Sequence, residues 1–67
     1  MDEFFIECKY SGAGFDFTGS LVNAIEVARE KIRYHYGVNC IWHGTQKIAE
    51  VREFDEWVSE AWKHQVS

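Results

Sequence analysis

Proline is missing from this chain, so its turns have to be made by other residues, and the glycines at positions 12, 14, 19, 37 and 44 are the expected breakpoints. Cysteine is scarce too. Two thiols, Cys8 and Cys40, do not make a disulfide framework, which points to a reducing, cytoplasmic setting. Positive charge is in short supply: seven Lys and Arg stand against eleven Asp and Glu, a formal net charge of −4. A general DNA or RNA binder carries a basic surplus, so this balance disfavours that class and permits a basic protein partner. No apolar run approaches the ~20 residues of a membrane span. Met1 is followed by Asp2 and Glu3 instead of a basic, then apolar, stretch, so no secretory leader is expected.

What is present is apolar content: 46% hydrophobic and 16% aromatic over 67 residues, enough for a single ordered domain spanning 1–67. The stretch Ser20 to Tyr36 carries a helical period. Leu21, Ile25, Ala28 and Ile32 recur on one stripe flanked by Ala24 and Tyr36, with Ser20 as N-cap and Gly37 as the stop. Before it, Phe4, Ile6, Cys8 and Tyr10 alternate with polar residues as a strand, Ser11 to Gly14 turns, and Phe15-Asp16-Phe17 returns with both phenylalanines inward. After Gly37, Val38 to His43 is a third strand. Gly44-Thr45 suits a two-residue hairpin turn that pairs His43 with Gln46 and brings a fourth strand behind it.

Carried down that hairpin without interruption, the register puts Val38, Cys40, Trp42, Ala49 and Val51 on the core face, with Lys47 at its rim. Asn39, Ile41, His43, Gln46, Ile48 and Glu50 fall on the other. From Glu53 the period is helical again, with Phe54, Trp57, Val58, Ala61 and Gln65 on one side. The expected fold is α+β: a small two-layer domain, a four-stranded antiparallel sheet with two helices in the order β-β-α-β-β-α. Its predicted core is Leu21, Ile25, Ala28, Ile32, Phe4, Ile6, Phe15, Phe17, Val38 and Trp42.

Catalysis is not indicated. Cys40 and His43, three apart on a strand, point to opposite faces, and no second closely spaced pair completes a zinc site. No base is placed beside Cys40 or Ser59, and Gly12-Ala13-Gly14 leads into a strand instead of the helix a phosphate cradle requires. No metal, cofactor or small-molecule substrate is therefore expected. Three surface features remain. Glu53, Glu56 and Glu60 would line the outward face of the last helix as an acidic ridge able to meet a basic protein surface. Phe5, Ile41 and Ile48 would stand together on the sheet face away from the core, either covered by the last helix or free as a partner or homodimer surface. Tyr34 and Trp62, near Arg29, Lys31 and Arg33, offer rings that could stack on bases.

The order of elements, with Ser20, Leu21, Ala24 and Ala28 in the helix and Cys40, His43, Gly44, Thr45 and Ile48 around the hairpin, resembles the small type I-F anti-CRISPR proteins. These are phage-encoded inhibitors of bacterial CRISPR surveillance complexes. The likeness spans Phe4 to Val51 and departs from the family in the extra residues between helix and third strand and in the acidic helix expected at the end. It implies an α+β protein that binds such a complex and blocks its nucleic-acid site in the cytoplasm of the infected cell, and it supplies no contact residue. The alternatives from the residues themselves are a nucleic-acid module using the sheet as its platform and a small homo-oligomeric interaction protein.

Overall fold

The computed structural model describes residues 2–32 and 38–64. The leading strand β1, Asp2–Cys8, is flanked on one side by β2, Gly14–Gly19, and on the other by β3, Asn39–His43. The sheet continues through β4, Gln46–Val51, to β5, Glu56–Val58, giving five antiparallel strands in the order β2-β1-β3-β4-β5. Helix α1, Leu21–Ile32, carries the chain from β2 over β1 to β3. A one-turn helix α2, Glu60–Lys63, follows β5. Two helices on an antiparallel sheet make this a small α+β domain, with one strand more than the sequence pattern suggests.

Local chemistry explains most of these elements. Ser20 caps α1, its Oγ accepting the Asn23 N–H at 3.1 Å. Gly12 takes φ +76° at the β1–β2 turn, a conformation costly for a side chain. Gly44 takes φ +63° in the two-residue β3–β4 turn, and His43 pairs with Gln46 as that turn length requires. Leu21, Ala24 and Ala28 form the buried stripe of α1, while Ile25 and Val27 pack at its margins. The fully buried alanines let the helix backbone come close to the sheet. On β1, Phe4, Ile6 and Cys8 are buried by alternation.

The hairpin of β3 and β4 departs from the uninterrupted register. Pairing runs His43–Gln46 and Trp42–Lys47, then jumps to Ile41–Ala49, Cys40–Glu50 and Asn39–Val51. Ile48 is the extra residue of a β-bulge. One residue of slip exchanges the faces. Ile41, Ile48, Ala49 and Val51 are all 0% exposed in the core beneath α1 and Trp62. Trp42, expected inside, lies on the opposite face and is half-buried, and Val38 is half-buried outside the strand. The surface patch expected from Phe5, Ile41 and Ile48 therefore keeps only Phe5.

Other expectations are corrected at the edges. Tyr10 is 83% exposed because β1 ends at Cys8 and the chain turns there. Phe15 and Phe17 do face the helix side, paired with Ile6 and Phe4, but on an edge strand Phe15 remains 37% exposed, with Lys31 Nζ 5.5 Å above its ring. The last helix does not begin at Glu53. Residues 52–55 form a tight loop closed by Arg52 N–H to the Asp55 carbonyl at 2.8 Å, and Glu56 to Val58 pair with β4. A free strand edge is satisfied by main-chain pairing more fully than by a separate helix, which is why the helical spacing there loses. Of the earlier assignments, the side chain of Ile32, residues Arg33 to Gly37 and Gln65 lie outside the described residues.

Among the described residues a single buried polar side chain ties the layers. Asn39 is 2% exposed, and its Nδ2 donates to the Ala28 carbonyl of α1 at 2.7 Å. Replacing it with apolar Leu removes that donor from a site closed to water. Asn39→Leu is expected to lower unfolding free energy by about 1–3 kcal/mol, measured by urea titration. An unchanged midpoint would mean the bond contributes nothing to joining helix and sheet.

Candidate functional site

Both helices lie on one face of the sheet. The aromatic cluster that receives α2 shows this directly: Trp62 packs 5.9 Å from Phe4 and 4.8 Å from His43, ring centre to ring centre. The opposite face has no helix on it among the described residues. Cross-strand partners share a face, so its occupants can be read from the register. They are Glu3, Phe5 and Glu7 on β1, Asp16 and Thr18 on β2, Cys40 and Trp42 on β3, Lys47 and Glu50 on β4, and Trp57 on β5.

Phe5, Trp42 and Trp57 give this face its apolar content. Phe5 is 40% and Trp57 50% exposed. The Phe5 ring lies over Gly14 of the neighbouring strand, where a Cβ would collide with it, so the glycine makes room for the ring. Phe5 and Trp42 are direct cross-strand partners, and Trp42 Nε1 donates to Glu7 Oε1 at 3.3 Å. Lys47 Nζ sits 6.0 Å from the centre of the Trp57 ring. Beneath these side chains Cys40 is 2% exposed, and burial, followed by the charge of Glu50, pushes its thiol pKa up. Cys8, on the helix side, is likewise free, and the Ser11 hydroxyl draws its pKa down.

Charge on the face is unevenly paired. Lys47 Nζ meets Glu50 Oε2 at 2.6 Å, and Arg52 meets Glu50 Oε1 at 3.3 Å. Glu3, Glu7 and Asp16 have no ion-pair partner among the described residues. The acidic ridge expected at the other end is not a ridge. Glu53 is in the 52–55 loop, Glu56 is on β5 with its carboxylate 3.0 Å from Arg29, and Glu60 opens α2 and pairs with Lys63 at 3.1 Å. The three belong to three elements, and two are already neutralised.

Among the described residues no three His, Cys, Asp or Glu side chains are grouped as a metal would need. No helix among them is long and apolar enough to cross a membrane. Two partly open clefts of about 500 and 540 Å³ flank α1. The larger one runs between α1 and β5 over Val22, Ile25 and Val58, bridged by Arg29 and Glu56. Neither brings a nucleophile and a base together. Comparison with protein-family models, with curated proteins and with solved structures gave no match to this chain. Trp42 and Cys40 on this candidate face were misplaced by the sequence pattern because the bulge at Ile48 has no marker in composition. The one usable signal was the pairing of Trp42 with Lys47, which the turn alone fixes.

The Lys47–Glu50 pair makes stability depend on pH at both ends. Its hydrogen bond from Lys47, aided by Arg52 and opposed by burial, holds the Glu50 carboxyl below the usual carboxylate range. The same bond, opposed by burial, raises Lys47. A lowered carboxyl stabilises the fold above its unfolded pKa of about 4.3, and that contribution is lost as pH falls through the folded value. A raised ammonium stabilises below about 10.4 and is lost as pH rises through the folded value. Glu50→Gln should flatten both limbs of a plot of urea midpoint against pH, the acid limb more, because two cations lose their partner. Parallel curves for variant and parent would show that the pair is fully screened by solvent.

Proposed function

We propose that this protein is a non-catalytic binding protein, a phage inhibitor that sits on the basic nucleic-acid site of a host CRISPR surveillance complex and keeps the nucleic acid out. The resemblance in the helix and hairpin suggests the class of target. The observation that carries the reading is the uncovered sheet face, where Phe5 and Trp57 are exposed and Trp42 half-buried, and where Glu3, Glu7 and Asp16 around Phe5 have no ion-pair partner among the described residues. Exposed apolar surface that a small domain leaves uncovered marks an interaction site, and unneutralised acids select a basic partner and hasten its approach. The contact surface on this reading is the sheet face around Phe5, and it replaces the last-helix ridge of Glu53, Glu56 and Glu60. The place of action is the cytoplasm of the infected cell.

A nucleic-acid module would use the same rings, since bases stack on exposed aromatics. The neighbouring carboxylates oppose it, because phosphate would have to approach Glu3, Glu7 and Asp16. Self-association through this face would bring the same acids near their copies.

The experiment is a gel shift of target DNA by a purified type I-F surveillance complex with increasing amounts of this protein. The shifted band should disappear, and the protein alone should not retard DNA at low salt. Undiminished DNA binding at saturating protein would overturn the inhibitor reading. Retardation of DNA by the protein itself, weakening with salt, would favour the nucleic-acid module.

A further inference from the structure

The three unpaired carboxylates of the open face surround one ring. Phe5 has Glu3 and Glu7 two positions away along β1 on its own face, Asp16 directly across on β2 and Trp42 directly across on β3. Direct cross-strand neighbours stand about 5 Å apart and same-face neighbours along a strand about 7 Å, so a side chain lying on the Phe5 ring, which is turned over Gly14, stands near Asp16, Trp42 and Glu7, while Glu3 serves a second on the other side of Phe5. Trp42 Nε1 occupies only Oε1 of Glu7, and Oε2 has no donor among the described residues. By contrast Glu50, at the other end of the face, already holds Lys47 and Arg52.

The geometry points to a guanidinium subsite: arginine side chains of the protein partner lie flat on Phe5 and Trp42 and are bonded at their edges by Glu7, Asp16 and Glu3. This rests on the reading that a basic protein surface is the partner and narrows it to arginine. A guanidinium is planar and weakly hydrated, so it stacks on an aromatic face while its fork of N–H donors meets a carboxylate. A lysine ammonium satisfies the charge but cannot stack and fork together. Phosphate is excluded by the acids that attract the arginine.

The test titrates isotope-labelled full-length protein with a tetra-arginine amide and, at the same salt, a tetra-lysine amide. Arginine should bind about threefold tighter or more. The resonance shifts should concentrate at Phe5, Gly14, Asp16 and the Trp42 indole N–H. Phe5→Leu should erase the preference and leave lysine binding as it was. The exposed pair Glu7→Gln with Asp16→Asn, which does not depend on tolerance of the ring change, should weaken both peptides and arginine more. Equal affinities in the parent, or shifts centred on Glu53, Asp55 and Glu60, would overturn the subsite in favour of general charge attraction. The DNA-binding assay separates this from the functional reading. Inhibition of the complex without an arginine preference sinks only the subsite. An arginine preference without inhibition supports the subsite and sinks the inhibitor.

Discussion

The bulge at Ile48 is the constraint on which the rest of this structure depends. One extra residue in β4 lets the tight Gly44 turn and the hydrophobic core coexist, because the turn fixes Trp42 opposite Lys47 while the core needs Ile41 opposite Ala49. Without the slip, Ile41, Ala49 and Val51 could not lie on one face. On its other side β4 pairs with β5, and the Ser59 N–H donates to the Ile48 carbonyl at 2.8 Å, one step past the Ala49–Val58 pair. That bond also sets where α2 starts. Trp62, three residues on, then falls against Phe4 and His43 and closes the end of the core.

The same slip decides the composition of the free face. Before it, the turn commits Trp42 and Lys47 to one shared face, which is the outer one. After it, Cys40 and Glu50 follow them, and Trp57 joins through its pairing with Glu50. An uninterrupted hairpin would have set Ile41 and Ile48 on the face opposite Ala49 and Val51, splitting the apolar residues between the two faces. The actual arrangement puts the β-branched residues, which pack tightly with few rotamers, into the core. Amphipathic indoles go where one edge can stay wet: Trp42 keeps its N–H bonded to Glu7 on the surface side.

Sequence reasoning reads well where a local rule acts alone. The alternation of Phe4, Ile6 and Cys8, the Ser20 cap, the stripe through Leu21 and Ala28, and the pairing of His43 with Gln46 all follow from periods and turn length. It fails where the outcome is settled between elements. Nothing in Lys47-Ile48-Ala49 marks a bulge, since any residue can occupy it when the core rewards the slip. Glu53 to Gln65 has a helical period, yet Glu56 to Val58 form a strand because β4 offers an unpaired edge within reach of a four-residue loop. Phe5 was recognisable as surface from alternation alone. Glu7 and Glu50 were recognisable beside it as well; Trp42 and Cys40 were not, because the faces of β3 depend on the bulge.

A chain this short buries only roughly 60% of what it exposes when unfolded, so each large side chain left outside is a loss of core it can ill spare. Phe5, Trp42 and Trp57 together could supply much of a second layer, yet no third layer covers them among the described residues. Two features show that the face is held in place without one. Gly14 is kept bare so that the Phe5 ring can lie flat on the backbone, at the cost of a residue that favours strands poorly. Lys47 bonds Glu50 and reaches over Trp57, pinning the far end with charge. Both devices fix ring positions before any partner arrives, which reduces the side-chain ordering that binding would otherwise have to impose. On the reading proposed above, such a face, apolar at its centre and with the unpaired acids of the described residues gathered around Phe5, would suit a flat cation better than a phosphate.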